Sequence, residues 1–129
     1  MKLGNVGVDC NDVEVMAEFW AGALDYRIAH RSDTEAQLKD KRELGPRIYL
    51  QKVPEPRTGK NRLHIDLYVL DEEAEAARIE ALGARRVKRF DRDEGDIWIV
   101  MTDPEGNEFC VCKAMPENMA DGQWGPVKA

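Results

Sequence analysis

The chain has 129 residues with 19 Lys plus Arg and 25 Asp plus Glu, so its formal net charge is −6. This length suits one domain with a real hydrophobic core. The acidic balance, without a long basic block, argues against nucleic acid or an anionic membrane as a partner. No apolar run approaches the roughly 20 residues of a membrane span, and the strand-like start does not resemble a signal peptide. We therefore expect a cytoplasmic protein.

The first half of the chain predicts a strand, a helix and three further strands. Residues of the first strand alternate, with apolar Val6, Val8 and Cys10 on one face. Asp12 is a good N-cap for the helix that follows. The predicted strands are 3–10, 25–30, 34–39 and 47–53, and the predicted helix is 13–24.

The second half repeats this order after a loop whose two prolines and one glycine cannot continue a strand or a helix. Asp71 caps the second helix and Gly83 ends it. The predicted strands are 61–69, 84–90, 96–102 and 107–112, and the predicted helix is 72–82.

Both halves therefore read as βαβββ modules. A shift of 59 residues places Asn5 on His64, Asp12 on Asp71 and Gln51 on Cys110. The interpretation is one domain overall, with a first module at 3–53, a linker at 54–60, a second module at 61–113 and a C-terminal tail at 114–129.

Strand parity separates a core face from a polar face. Leu63, Ile65, Leu67 and Val69 form an apolar row suited to packing under a helix, so His64, Asp66 and Tyr68 face the other way. We expect these three side chains to line a cleft. By the repeat, Asn5, Gly7 and Asp9 line it from the first module, and Gln51 and Cys110 enter from the last strand of each module.

Two stretches, "RLHIDLYVLD" followed by a helix and "TDPEGNEFCV", resemble motifs of the vicinal oxygen chelate superfamily. That superfamily contains glyoxalase I, extradiol dioxygenases, and fosfomycin and bleomycin resistance proteins. The resemblance covers residues 3 to 113 and is strongest to small glyoxalase-like proteins. It implies an α+β fold of two paired βαβββ modules that form a curved mixed sheet around a cleft, and it implies a homodimer.

The superfamily's metal enzymes hold a divalent ion with four side chains, whose positions fall here on Asn5, Gln51, His64 and Cys110. Only His64 is a standard ligand, because amides supply neutral oxygens. We therefore expect no metal cofactor. The alternative is a metal-dependent lyase or isomerase using His64 and Cys110. Asp66 or Glu108 would be its third ligand, but strand rise places each roughly 6 to 7 Å from its neighbour two residues away.

Without a metal, the polar face can bind a small organic molecule or carry acid–base chemistry. The candidate catalytic groups are His64, Asp66 and Glu108. A third hypothesis is a regulatory or accessory domain with no ligand of its own. Trp98, Tyr49 and Tyr68 are candidates for stacking on a flat ligand. The candidate ligand-binding residues are Asn5, Asp9, Tyr49, Gln51, His64, Tyr68, Trp98 and Cys110.

Three further features bear on partners. Arg57, Lys60 and Arg62 form a small basic cluster that can attract an anionic ligand. Cys110 and Cys112 lie too close along one strand for an ordinary disulfide, which favours reduced thiols. The tail carries Met115, Met119 and Trp124, which are apolar enough to dock at a dimer interface.

Overall fold

A computed structural model describes residues 1–114 of the chain. The chain divides between Thr58 and Gly59 into two compact units, which we call the first and the second unit. Met115, Met119 and Trp124, and with them the predicted role of the tail, lie outside the described residues. No helix within residues 1–114 is long and apolar enough to cross a membrane.

The first unit is a four-stranded mixed sheet with one helix. Strand β1 (Asn5–Cys10) pairs in parallel with the last strand, and the other pairs are antiparallel, which gives the order β1-β4-β3-β2. The remaining elements are α1 (Val13–Leu24), β2 (Tyr26–Arg31), β3 (Glu35–Asp40) and β4 (Arg47–Lys52).

The second unit repeats this topology with the order β5-β8-β7-β6. Strand β5 pairs in parallel with β8, and β6, β7 and β8 pair antiparallel. A short 3-10 turn, Asp93–Gly95, lies in the β6–β7 connection. The elements are β5 (Ile65–Val69), α2 (Glu72–Leu82), β6 (Arg85–Asp91), β7 (Ile97–Thr102) and β8 (Glu108–Lys113). The α+β class with two βαβββ modules is confirmed.

The two helices begin alike but pack differently. The side chains of Asp12 and Asp71 accept hydrogen bonds from the backbone amides of Val15 and Ala74, as expected of N-caps. Helix α1 then buries seven residues, whereas α2 buries three. Helix α2 is held to β6 by ion pairs as well, because Glu73 binds the guanidinium groups of both Arg86 and Arg89. The second helix therefore depends less on apolar packing.

Each unit contains a buried aspartate that organises the turn before its last strand. Asp103 is 3% exposed and accepts hydrogen bonds from the backbone amides of Glu105 and Asn107 and from the Asn107 side chain. Gly106 in this turn has φ 88°, a conformation that glycine adopts without strain. Asp40 is 4% exposed and plays the same part in the first unit, where the amides of Arg42, Leu44 and Gly45 donate to it.

Both helix ranges agree with the prediction, and the strand ends agree within three residues except at β5. That strand begins at Ile65, not residue 61, because its partner β8 begins at Glu108. Asn61 instead donates a side-chain hydrogen bond to the Glu108 carbonyl. Leu63, predicted to lie in the core row, is 89% exposed for the same reason.

The predicted register of the repeat is wrong in the last strand. The two N-caps align Gly7 with Asp66; in the ladders Gly7 pairs with Tyr49 and Asp66 pairs with Cys110. Tyr49 is therefore the counterpart of Cys110, and Gln51 lies two residues further along. The shift arises because residues 92–96 separate β6 from β7, whereas only residues 32–34 separate β2 from β3.

Candidate functional site

The polar face of the second sheet forms a pocket of about 780 Å³. Alternate residues of β5, β7 and β8 supply much of its lining, because side chains alternate between the faces of a strand. The volume is within the roughly 300 to 1,000 Å³ typical of small-molecule sites. The lining residues are Lys60, His64, Asp66, Tyr68, Phe90, Asp93, Asp96, Trp98, Val100, Glu108, Cys110, Cys112 and Lys113.

The pocket contains six of the predicted site residues. They are His64, Asp66, Tyr68, Trp98, Glu108 and Cys110. The other four, Asn5, Asp9, Tyr49 and Gln51, belong to β1 and β4 of the first unit. Asn5, Asp9 and Gln51 are exposed there and Tyr49 is half-buried.

At one end of the pocket, His64 Nδ1 lies 3.0 Å from Asp66 Oδ1. Donor atoms of His64, Asp66 and Cys110 all lie within 4.8 Å of one another. The expectation that strand rise keeps Asp66 roughly 6 to 7 Å from its neighbours is therefore wrong for the functional atoms. The side chains lean toward each other, and Asp66 sits directly beside Cys110 in the β5–β8 register.

Both pocket thiols resist ionisation. Burial raises the pKa of Cys110 to about 11, and the nearby Asp66 and Glu108 carboxylates add to this effect. Burial also raises the pKa of Cys112 to about 12, helped by Asp66. Both are therefore neutral thiols near pH 7. A thiolate nucleophile at either position is not supported.

Glu108 is tied to the segment before β5. Lys60 Nζ lies 3.0 Å from Glu108 Oε2, with the lysine side chain largely exposed and the glutamate 29% exposed. The predicted basic cluster thus contributes Lys60 to the pocket wall. Since an exposed lysine reorients easily, this pair can open toward a ligand at little cost.

Two aromatic rings form the other end of the pocket. Phe90 and Trp98 are cross-strand neighbours whose rings are nearly parallel, with centroids 4.9 Å apart and an interplanar angle of 11°. Stacked aromatic pairs of this kind hold each other in place. They supply the aromatic part of the pocket lining, at the end away from His64.

The first unit carries a separate polar network on its sheet. The Tyr49 hydroxyl donates to Glu35 Oε2 at 2.6 Å, and His30 Nε2 lies 3.5 Å from Glu35 Oε1. The hydrogen bond to Glu35 raises the pKa of Tyr49, so the phenol stays protonated. His30 lies on the edge strand β2 with 55% of its side chain exposed.

Seven lining residues were not among the predicted site residues: Lys60, Phe90, Asp93, Asp96, Val100, Cys112 and Lys113. Cys112 follows from Cys110 by strand parity, because it lies two residues further along β8, as Glu108 lies two residues before Cys110. Phe90 is the ladder partner of Trp98, so its place depends on the β6–β7 register. Asp93 and Asp96 lie in the connection between these strands, where sequence alternation carries no signal.

Comparisons with known proteins extend the resemblance found in the sequence. Residues 5–112 match the family described as "Glyoxalase-like domain". No curated protein matches.

Solved structures provide fold-level similarity. A glyoxalase/bleomycin resistance protein/dioxygenase family enzyme from Burkholderia phytofirmans PsJN has a TM-score of 0.73 at 18% identity, covering 89% of this chain and 100% of its own. The lactoylglutathione lyase from Agrobacterium tumefaciens has a TM-score of 0.63 at 17% identity, covering 88% and 93%.

A third structure holds a metal ion and a ligand. It is a variant of the fosfomycin resistance protein FosX from Listeria monocytogenes, complexed with Mn(II) and dihydroxypropylphosphonic acid. Its TM-score is 0.72 at 16% identity, covering 93% of this chain and 97% of its own. At these identities the structural comparisons show the shared fold alone.

Proposed function

The chain belongs to the glyoxalase-like domain family, and we propose that its second unit binds a small organic molecule in the pocket without a metal ion. The observation that carries this proposal is the mixed lining. The stacked Phe90–Trp98 pair and hydrogen-bonding groups that include His64 and Asp66 line one pocket, whose volume suits a small ligand. Such a lining combines apolar contact with a few polar groups that fix orientation.

The donor chemistry supports the metal-free form. In the first unit, the positions equivalent to His64 and Cys110 carry Asn5 and Tyr49, which are neutral oxygen donors near pH 7. In the second unit, burial raises the pKa of Cys110, so a metal ion would have to displace its proton at a cost. A hard ion such as Mn(II) prefers carboxylate oxygens, and none of these positions in either unit carries one.

A second candidate function has its own supporting observation. His64, Asp66 and Cys110 supply one nitrogen, one carboxylate and one sulfur donor within 4.8 Å of one another. That set fits a borderline ion such as zinc better than a hard one. The function would be a metal-dependent lyase or isomerase of the glyoxalase type, in which the ion polarises a substrate carbonyl. Glu108, beside Lys60, would then move a proton.

Metal analysis and a ligand screen distinguish these functions. Protein purified without chelators should contain no stoichiometric metal, and its melting temperature should rise with a flat organic ligand both before and after treatment with EDTA. Stoichiometric zinc in the wild type that is lost in His64→Ala would favour the metal-dependent lyase or isomerase over metal-free binding. The absence of any ligand across a broad screen would instead favour an accessory domain.

We also propose that the chain forms a homodimer, as the resemblance implies. Light scattering coupled to size-exclusion chromatography should give twice the chain mass. A strict monomer, with a mass per particle that does not depend on residues 114–129, would contradict this proposal.

A further inference from the structure

The Trp98 indole in the pocket wall has two partners. Phe90 stacks against it at 4.9 Å, and the Arg92 guanidinium carbon lies 4.9 Å from its ring centroid. Lys88 Nζ lies 4.8 Å from the Phe90 centroid. The aromatic wall is therefore already in contact with two cations of the chain itself. Phe90 and Arg92 both lie against the Trp98 ring, so a flat ligand that stacks on this ring competes with them.

Arg92 is the partner that can leave. Phe90 is fixed opposite Trp98 by the β6–β7 ladder, whereas Arg92 follows β6 and is exposed. Its guanidinium forms no ion pair with any side chain that the structure describes. A cation over an aromatic ring is held only weakly at an exposed site. Replacing it costs less than separating two rings that are anchored in neighbouring strands.

The surroundings of Trp98 favour a positive replacement. Four carboxylates line the pocket against two lysines. The Asp66 carboxylate is paired with the His64 ring, and the Glu108 carboxylate is paired with the Lys60 ammonium group. Asp93 begins the 3-10 turn before β7 and Asp96 follows it, and neither forms an ion pair within the described part of the chain. The backbone amide of Arg92 donates to the Asp96 carbonyl, so these residues lie in one tight turn, and the two carboxylates would act against an anionic ligand there.

We propose that the aromatic end of the pocket binds a planar organic cation, such as an amidinium, a guanidinium or a quaternised heteroaromatic ring. The cation stacks on Trp98 in place of Arg92, and Asp93 and Asp96 neutralise its charge. Arg92 thereby acts as an internal stand-in that the ligand displaces. This inference rests on the proposed function, since it names the ligand class of the same site.

Three probes of nearly equal shape test the charge preference. N-methylquinolinium is cationic, quinoline is neutral and quinoline carboxylate is anionic near neutral pH. Titration calorimetry at low salt should show N-methylquinolinium binding about tenfold tighter than quinoline, and the carboxylate binding most weakly. Equal binding of quinoline and N-methylquinolinium, or preference for the carboxylate, would overturn the inference and leave the proposed function intact. Saturable binding of none of the three would overturn the inference, and the broad ligand screen described above would decide the proposed function.

Substitutions test which residues produce the preference for a cationic ligand. Arg92→Gln removes the internal competitor and should raise the affinity for N-methylquinolinium several-fold, whereas Lys41→Gln, a cation of the first unit paired with Asp25, should leave it unchanged. Asp96→Asn should reduce the preference for the cation over quinoline. Trp98→Leu should abolish binding and Trp98→Phe, which keeps a ring, should retain part of it. An Arg92→Gln variant with lower affinity would contradict the displacement.

Discussion

His64 Nδ1 lies 3.0 Å from Asp66 Oδ1, across two positions of the same polar face. The histidine precedes β5 and the aspartate lies within it, beside Cys110 on the neighbouring strand. This contact gives His64 a hydrogen-bond acceptor from the protein. A ring with its orientation fixed by a carboxylate can present its other nitrogen to a ligand. The pair therefore defines the polar end of the pocket.

His64→Ala should weaken ligand binding and leave the fold intact. The His64–Asp66 pair is about half exposed, so its loss should change the free energy of unfolding by less than about 1 kcal/mol. One lost ligand hydrogen bond should reduce affinity by roughly threefold to tenfold. Calorimetry with a bound probe and urea denaturation measure the two effects. His30→Ala, on β2 of the first unit, is the matched control and should not alter affinity; equal losses in both variants would contradict the assignment.

Asp103→Ala should destabilise the chain strongly. The substitution leaves the amides of Glu105 and Asn107 and the Asn107 side chain without their buried acceptor. Each unsatisfied buried donor costs about 1 to 3 kcal/mol, so a total loss of roughly 2 to 4 kcal/mol is expected after partial rescue by water. Asp103→Asn, which keeps one acceptor oxygen, should lose less. A midpoint of urea unfolding in Asp103→Ala equal to that of the wild type would show that the turn does not need this carboxylate.

Asp40 should contribute to stability in a pH-dependent way. Burial alone would raise the pKa of Asp40, but hydrogen bonds from the amides of Arg42 and Gly45 and from the Arg42 side chain outweigh it, so the pKa lies below its ordinary value. The stabilisation is therefore fully present above the unfolded pKa of about 4 and is lost as pH falls through the folded pKa. In Asp40→Asn, the melting temperature should depend less on pH in the acid range. An unchanged acid slope would contradict this account.

The pocket thiols should react slowly with alkylating agents. With a pKa of about 11, Cys110 is a thiolate in roughly one molecule per thousand near pH 8, whereas about a quarter of ordinary thiols are ionised there. Alkylation in the folded chain should therefore be at least roughly 100-fold slower than in guanidinium at Cys110 and at least roughly 1,000-fold slower at Cys112, and both rates should rise about tenfold per pH unit. Mass spectrometry of Cys110→Ser and Cys112→Ser variants separates the two sites. Rapid labelling of the folded wild type near pH 8 would show that a thiolate is stabilised.

Local patterns predicted the helices and most strands because their signals lie within a few residues. Asp12 and Asp71 cap their helices through their own side chains, so the caps mark both helix starts. The predicted start of β5 was wrong because this strand begins only where its partner β8 begins, which the local sequence does not indicate. Gln51 was matched to Cys110 because hairpin lengths differ between the units, which a single sequence shift cannot express. The pairing register between strands is a tertiary property, and a single sequence predicts it only weakly.

The site was predicted in part for the same reasons. Parity assigned His64, Asp66 and Tyr68 to one face, and these residues do line the pocket together. Their separations were not predictable, because the 3.0 Å contact depends on side-chain rotamers and not on strand rise. Asp93 and Asp96 also line the pocket, but they lie in the β6–β7 connection, where no periodic pattern indicates which side chains face the pocket.

One titration tests the central claim most directly, namely that the pocket binds an organic molecule without a metal. N-methylquinolinium is titrated into EDTA-dialysed protein and into the same protein after zinc is restored. The account predicts saturable binding with one site per chain and the same affinity in both samples, and loss of binding in Trp98→Leu. Binding that appears only after zinc is added, and that disappears in His64→Ala, would contradict it.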